Sequence, residues 1–289
     1  MERSDRLKSK IFLDSGSSSE TAEAINLLGF LDGQTTNPTL ISKNTKAKER
    51  LQSGGKFTDS EIYAFYKSVV TEIAEQIPQG SVSIEVYADS DTSSEQMYTQ
   101  ALEMYNWIPN AHIKFPTNRA GLEAASRFSQ QNSGRVNMTL GFTQDQGAAV
   151  YSATKGAGKG QVYYSSFVGR LFDKGIDGIE QLANCKKMYS ISDNHVEVLA
   201  CSFRNLDQFL ASLYLGVDII TASLDILKKW ADTGFYIPDE AFNYESKGLV
   251  KPEYKRLDLD QQWDTFEIEN QMTNVGIEKF AKDWNALVS

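Results

Sequence analysis

The sequence predicts an α/β protein, a single (β/α)8 TIM-type barrel, and three observations lead to this prediction. Eight short β-rich runs alternate with segments of helical periodicity along the chain. No change in composition marks a linker, so we expect residues 1–289 to form one domain. The length of 289 residues also suits such a barrel, which commonly takes about 250. An open, doubly wound sheet is the alternative architecture.

The predicted strands are bounded by Gly, Pro, Ser or Asn, as strand ends usually are. We expect them at residues 11–14, 31–35, 82–88, 111–115, 136–141, 162–166, 196–202 and 217–222. Between them, the clearest helix follows a capping box formed by Thr58 and Glu61. Its apolar face carries Ile62, Phe65, Tyr66, Val69, Val70, Ile73 and Ile77.

Two further helices and one insertion complete the predicted order of elements. Met97, Leu102 and Tyr105 suggest a helix between the third and fourth strands, and residues 206–215 suggest another. Residues 234–262 show little periodicity, so they predict a long irregular insertion before the C-terminal helix. That helix carries one apolar stripe of Ile277, Phe280, Ala281, Trp284 and Leu287.

Composition excludes several classes of function. The net charge is −9, which disfavours a nucleic-acid partner and means that any phosphate must be bound by a local cluster of donors. Cys185 and Cys201 are too few for a disulfide scaffold, so we expect a reducing, cytoplasmic environment. Residues 1–10 lack an apolar core, and no apolar run reaches the roughly 18 residues of a membrane span. His112 and His195 have no clustered carboxylates at ligand spacing, which disfavours a metal site.

Reactive side chains of such barrels lie at the C-terminal ends of the strands or just after them. The polar residues predicted there are Asp14, Asn37, Glu85, Lys114, Asn137, Thr139, Ser165, Ser202 and Arg204. Lys114 stands in a short apolar strand, where burial disfavours the ammonium form and makes the amine available as a nucleophile. The alternative is an outward-facing lysine whose charge reaches water.

The acids favour the catalytic interpretation of Lys114. Asp14 ends the first predicted strand, and period-two alternation puts Ser83 and Glu85 on one face of the third, suited to a polar interior. A carboxylate and an amine that converge there could divide proton transfer between them. A purely structural ion pair is the alternative.

The fifth strand carries Asn137 and Thr139 on one face, where they could bind substrate hydroxyls or a catalytic water rather than neighbouring backbone. Residues 165–170 and 201–205 concentrate hydroxyls and N–H groups, with Arg170 and Arg204 as a possible bidentate clamp for phosphate. Solvated surface arginines are the alternative, unless the two segments are neighbours in space. The glycine-rich run 156–160 is interpreted as a turn because it precedes a strand.

As a set, these motifs resemble the transaldolase family of class I (Schiff-base) aldolases, over roughly residues 10–227 and more weakly through the terminal helix. Asp-Gly-Gln-Thr-Thr-Asn-Pro-Thr-Leu-Ile at residues 32–41 resembles the signature after the second strand, and Ile-Lys-Phe-Pro at 113–116 resembles the lysine motif. Residues 165–170 resemble Ser-Pro-Phe-Val-Gly-Arg, and residues 202–205 match a second phosphate motif.

The resemblance implies a role for each matching residue. Lys114 would be the Schiff-base nucleophile, Asp14 the acid/base for C–C cleavage and formation, and Glu85 the partner that acts through a water held by Thr139. The implied substrate-binding residues are Asn37 and Asn137, which position hydroxyls and the covalent intermediate, and Arg170, Ser202 and Arg204, which hold the phosphate with Ser165 nearby.

Three departures from the family pattern and one discriminating position bear on this resemblance. Ser166 stands where proline is usual, Gly141 stands where a larger apolar residue is common, and residues 115–118 vary the lysine motif. Phe167 stands where related fructose-6-phosphate aldolases tend to have tyrosine, which favours transfer over release of free dihydroxyacetone.

The resemblance therefore implies a cytoplasmic transaldolase of the non-oxidative pentose phosphate pathway that needs no cofactor and no metal. Its expected partners are sugar-phosphate substrates, without nucleic acid or membrane, and homodimer formation is left open. Three alternatives remain: an aldolase that releases dihydroxyacetone, a noncatalytic sugar-phosphate binding protein, and a metal-dependent barrel enzyme.

Overall fold

The computed structural model describes residues 3–246 and 248–289, and its centre is a closed barrel of eight parallel strands in sequence order. The strands are β1 (Lys10–Asp14), β2 (Gly33–Thr35), β3 (Ser81–Glu85), β4 (Ala111–Pro116), β5 (Val136–Gly141), β6 (Val162–Phe167), β7 (Val196–Cys201) and β8 (Ile219–Ala222). Because β1 pairs with β8 as well as with β2, the sheet has no free edge. The predicted (β/α)8 barrel is confirmed, and the open sheet is excluded.

Two strands begin later than predicted, and an aspartate carboxylate accepts a backbone N–H just before each of them. Leu31 and Asp32 lie before β2, and the Asp32 carboxylate accepts the Ile11 N–H at 2.8 Å. Asp218 likewise lies before β8 and accepts the Val198 N–H at 2.9 Å. Both aspartates also keep backbone hydrogen bonds to a neighbouring strand, since the Asp32 N–H donates to the Ile11 carbonyl at 3.0 Å and the Lys10 N–H donates to the Asp218 carbonyl at 2.9 Å.

The helices fill the connections between strands. They are α1 (Ser18–Leu28), α2 (Pro38–Ser42), α3 (Thr45–Gln52), α4 (Asp59–Gln76), α5 (Ser94–Met104), α6 (Arg119–Asn132), α7 (Gln144–Ala153), α8 (Val168–Phe172), α9 (Gly178–Tyr189), α10 (Leu206–Leu215), α11 (Leu224–Asp232) and α12 (Gln271–Asn285). The capping box of Thr58 and Glu61 is confirmed at the start of α4. In α5 the prediction for Leu102 is wrong: Leu102 is exposed, and Tyr98 and Ala101 are buried instead.

Residues 234–262 contain no helix and no strand among those that the structure describes, as predicted. The segment lies along the outside of the barrel, where Gln144 of α7 exchanges two hydrogen bonds with the Lys255 backbone and Asn184 of α9 donates to the Pro252 carbonyl at 2.9 Å. The predicted apolar stripe of α12 is buried. Gly276 lets α12 approach β5 closely, since an added Cβ would lie 2.6 Å from Leu140.

The two ends of the barrel interior differ in chemistry. Near the N-terminal end, His112 stacks on Tyr163 with ring centroids 4.2 Å apart, and Lys10 pairs with Glu197 at 2.9 Å. Burial lowers the pKa of His112 to about 3, so its ring is neutral. The C-terminal end carries the candidate site. Among the described residues, no helix has the length and apolar character to cross a bilayer.

Gly169 allows the turn from β6 into α8 to lie against the loop that follows β7. A Cβ at this position would overlap the backbone oxygen of Ser202, which cannot rotate away as a side chain could. We expect Gly169→Ala to lower the free energy of unfolding by about 1–3 kcal/mol, the usual cost of overpacking. Denaturant unfolding measures this. Gly55→Ala is the control, because its Cβ would meet nothing closer than 3.4 Å; equal stability of the two variants would contradict the close-contact interpretation.

Candidate active site

A polar cavity opens at the C-terminal ends of the strands and is lined by most of the predicted site residues. They are Asp14, Asn37, Lys114, Thr139, Ser165, Phe167, Arg170, Ser202 and Arg204. Glu85 and Asn137 lie directly behind this lining, against Lys114 and Ser165 respectively. None of residues 234–262 that the structure describes lines the cavity, whereas Lys279 and Phe280 of α12 do.

Lys114 is buried at the base of the cavity, with only 4% of its surface exposed. Its Nζ lies 3.0 Å from Glu85 Oε2 and donates to the Thr36 carbonyl at 3.0 Å. Glu85 and Lys114 are direct partners in the β3–β4 register, so the two side chains emerge side by side. The Oε2 contact is an ion pair without good hydrogen-bond geometry. The alternative of a solvated, outward-facing lysine is excluded.

Two carboxyl groups face this one amine. Burial raises the pKa of Glu85, and the positive charge of Lys114 opposes the rise. Burial also raises the pKa of Asp14, again against Lys114 and against a hydrogen bond from Thr35. Raised pKa values make both carboxylates stronger proton acceptors than they are in water.

A chain of hydroxyl groups that the sequence analysis missed holds Asp14. Thr35 Oγ1 donates to Asp14 Oδ1 at 2.7 Å, and Thr221 Oγ1 lies 2.7 Å from Thr35 Oγ1. Since the single Thr35 proton goes to Asp14, Thr221 must donate to Thr35. Thr35 lies within the motif at residues 32–41, but only the closed β8–β1–β2 geometry identifies Thr221.

The amides of the site are partly engaged by protein groups. Asn137 donates to Ser83 at 3.0 Å and accepts the Ser165 hydroxyl proton at 2.6 Å, so Ser165 can only accept a hydrogen bond from a group in the cavity. Asn37 Oδ1 accepts the Leu40 N–H at 2.9 Å as the N-cap of α2. Thr139 Oγ1, by contrast, is buried without a protein partner. This hydroxyl is available to a water or a substrate.

The two predicted phosphate segments are neighbours in space, because Arg170, Ser202 and Arg204 line the same cavity. The Arg170 guanidinium lies over the rings of Phe167 and Phe280, 5.0 and 5.4 Å from their centroids. Burial lowers the pKa of Arg170, although the group stays charged at neutral pH. Arg204 pairs with Asp173 at 2.6 Å.

The sequence analysis did not predict two further cationic side chains that line the cavity. Lys43, which follows α2, and Lys279 of α12 both line the cavity. Lys279 also pairs with Asp283 at 2.9 Å on its own helix. A lysine just after a short helix and a lysine on the polar face of another helix carried no signal in the sequence, and only the packing of α12 against α2 brings them together.

Other sequence features lie away from the cavity or find a packing reason. The run 156–160 is a turn before β6, with positive φ at Gly156 and Gly160. Gly141 is required because a Cβ would overlap the ring of Tyr164. Within the described part of the chain, no group of three or more His, Cys, Asp or Glu side chains is placed to hold a metal ion. The buried Ser166 hydroxyl has no protein partner, and nothing in the structure explains it.

Comparison with known proteins agrees with this geometry. Residues 11–289 match the model of the family described as Transaldolase/Fructose-6-phosphate aldolase. The chain belongs to the transaldolase/fructose-6-phosphate aldolase family. Over 278 residues it is 31% identical to a relative named "Probable transaldolase" from Heliobacterium modesticaldum, a match that covers 96% of this chain and 98% of the relative.

A second relative of the family with the same printed name comes from Thermoplasma volcanium. It is 35% identical over 219 residues, which cover 76% of this chain and 86% of the relative. The suspected family resemblance is therefore confirmed over nearly the whole chain, and the family indicates an enzyme.

The raised pKa of Asp14 predicts a pH-dependent stability. A carboxyl group whose folded-state pKa is raised stabilises the fold fully below its unfolded value, about 4, and this contribution is lost as the pH rises through the folded value. We therefore expect Asp14→Asn to be more stable than the wild type at pH 7, with the difference disappearing towards pH 3. Denaturant unfolding between pH 3 and 8 measures it.

Asp89 provides a control of opposite sign. Hydrogen bonds from Thr92 and Tyr87 lower the pKa of Asp89, so its contribution is present at neutral pH and lost on acidification. Asp89→Asn should be less stable than the wild type at pH 7 and equal to it at low pH. If both substitutions changed the free energy of unfolding at pH 7 in the same direction, burial would not be the dominant influence on the pKa of Asp14.

Proposed function

We propose that this protein is a transaldolase, which transfers a dihydroxyacetone unit from a ketose phosphate to an aldose phosphate through a Schiff base on Lys114. The observation that carries the proposal is the buried Lys114 amine at the base of a polar cavity, 3.0 Å from a carboxylate whose pKa is raised. Such an amine is protected from water and has a proton acceptor beside it.

The first step is formation of the iminium. Lys114 attacks C2 of fructose 6-phosphate as a neutral amine, and loss of water leaves a positive nitrogen that accepts an electron pair. The raised pKa of Glu85 suits it to take the ammonium proton of Lys114 and to return a proton to the departing hydroxyl. The unpartnered hydroxyl of Thr139 suits it to hold the water through which Glu85 acts.

Asp14 then works as the base for cleavage. Its carboxylate removes the proton of the C4 hydroxyl, the C3–C4 bond breaks, and the electron pair moves to the iminium nitrogen. Glyceraldehyde 3-phosphate leaves, and the three-carbon enamine attacks the aldehyde carbon of erythrose 4-phosphate. Asp14 returns its proton to the new C4 hydroxyl, and hydrolysis of the iminium by water releases sedoheptulose 7-phosphate and regenerates the Lys114 amine. The hydroxyl chain from Thr221 through Thr35 supports this role, because it fixes which Asp14 oxygen is free to face the substrate.

The charges at the mouth suit a phosphorylated substrate. Arg170, Ser202 and Arg204 offer charge-assisted donors on one side of the cavity, and Lys43 and Lys279 add positive charge at the rim. In a chain of net charge −9, this local cluster is what an anionic ligand requires. We place the reaction in the cytoplasmic non-oxidative pentose phosphate pathway and assign it no cofactor.

Phe167 favours transfer over release of dihydroxyacetone. Its ring packs 5.6 Å from that of Phe142 and lies under Arg170, so this part of the cavity wall offers no hydroxyl to a water. Without a proton donor at this place, the enamine on Lys114 waits for an aldehyde. A fructose-6-phosphate aldolase remains the second candidate, because the matching family includes both activities.

Borohydride reduction tests the Schiff base directly. In the presence of fructose 6-phosphate we expect one dihydroxyacetone-derived adduct on the peptide that contains Lys114, measured by peptide mass. Lys114→Met should abolish both adduct and turnover, whereas Lys8→Met, at an exposed lysine, should change neither. We expect Glu85→Gln to lower kcat by about 10²–10⁴-fold, the usual contribution of a proton-transfer group. An unmodified wild-type peptide would refute the mechanism.

Supplying the ketose alone separates the two candidate activities. With fructose 6-phosphate and no acceptor, a transaldolase should release about one equivalent of glyceraldehyde 3-phosphate per active site and then stop. Addition of erythrose 4-phosphate should restart turnover. The measurement is a coupled assay for glyceraldehyde 3-phosphate, and sustained release without an acceptor would assign the chain to the aldolase class.

A further inference from the structure

We propose that Asp173 is a positioning residue of the phosphate site, which fixes the edge of the Arg204 guanidinium that faces the substrate. The inference rests on the proposed function, since the anion is taken to be the phosphate of the sugar substrate. No motif in the sequence indicated Asp173, which directly follows α8 and is partly exposed.

The contacts between the two side chains are bidentate. Arg204 Nε lies 3.1 Å from both oxygens of Asp173, and Nη2 lies 2.6 Å from Oδ2. Exposed ion pairs in general contribute little, but a bidentate pair fixes the plane of the guanidinium as well as its distance. Asp173 itself is held at the end of α8, where its N–H donates to the Gly169 carbonyl at 3.0 Å.

These contacts determine which donors of Arg204 remain. A guanidinium has five N–H groups, and the side formed by Nε and Nη2 is occupied by Asp173. Nη1 donates to the Ser202 carbonyl at 3.0 Å and makes a longer contact of 3.3 Å to the Ser202 hydroxyl. The second Nη2 N–H is left for a phosphate, and beside it lies the Nη1 N–H whose only partner is the Ser202 hydroxyl at 3.3 Å; these two groups form the end of the guanidinium.

The position of this end of the Arg204 guanidinium in the cavity follows from where Asp173 and Arg170 lie in the sequence. Asp173 directly follows α8, which contains Arg170, and Arg170 and Arg204 line the same cavity. By holding Arg204, Asp173 therefore also fixes the spacing of the two guanidinium groups. A carboxylate next to an anion site opposes binding by its charge, so its benefit must lie in orientation. A free arginine would have to lose its rotamer entropy when the phosphate binds.

The two effects of Asp173 have opposite signs and different salt dependence. Removing the carboxylate adds local positive charge, which strengthens phosphate binding but is screened by salt. It also releases Arg204, which weakens binding at every salt concentration. We expect orientation to dominate, so that Asp173→Ala weakens phosphate binding roughly five- to tenfold, given the entropy of a freed arginine. The loss should grow as the ionic strength rises.

The test is calorimetric titration of the full chain with inorganic phosphate at two or more salt concentrations. Asp264→Ala is the matched control, because Asp264 pairs with Arg119 at 4.0 Å, is exposed to a similar degree and lies outside the cavity lining. The control should bind phosphate like the wild type, and Asp173→Glu should recover part of the affinity lost in Asp173→Ala.

A second readout separates positioning from a general structural role. Borohydride trapping of unphosphorylated dihydroxyacetone on Lys114 should be unchanged in Asp173→Ala, because that ligand has no phosphate to bind. Equal losses for phosphate and for dihydroxyacetone would overturn the inference, as would tighter phosphate binding by the variant or no phosphate binding by the wild type. Because the titration needs no covalent chemistry, its outcome is independent of whether Lys114 forms a Schiff base.

Discussion

The burial of Lys114 against Glu85 is the constraint on which the rest of the site depends. Removing two charges from water costs several kcal/mol per ion, and a single contact at 3.0 Å is not enough to offset this unless other polar groups take part. The Thr36 carbonyl supplies one such group, and Asp14 brings a second carboxyl group near the same amine. Lys114 and Glu85 are therefore held together in a place where only 4% of either residue is exposed to solvent.

The barrel architecture makes this cluster possible at one end only. Parallel strands put successive inward side chains into layers, so Asp14, Glu85 and Lys114 meet near the C-terminal ends of three strands. At the other end the interior is closed by the neutral His112 ring stacked on Tyr163. The cluster of Asp14, Glu85 and Lys114 thus lies at the end where the cavity opens, whereas the other end holds the paired Lys10 and Glu197 beside a neutral ring.

The sequence predicted well what depends on local pattern. All eight strands were located, and β5 and α10 have the predicted bounds. Period-two alternation correctly directed Glu85 inward. Patterns within one strand do not contain the register between strands, so the direct pairing of Glu85 with Lys114 and the contact of Thr221 with Thr35 needed the structure. Asp173 was missed for a related reason, since an acid at the end of a short helix resembles any solvated acid.

The contribution of α12 to the cavity links the completion of folding to the formation of the site. Lys279 and Phe280 line the mouth, and Gly276 brings their helix against Leu140 and within reach of Arg170. These contacts join residues more than a hundred positions apart, so during synthesis the barrel strands emerge from the ribosome well before the last part of the mouth. A nascent chain with all eight strands would still lack one wall of this cavity, and the candidate site would be complete only when this helix docks.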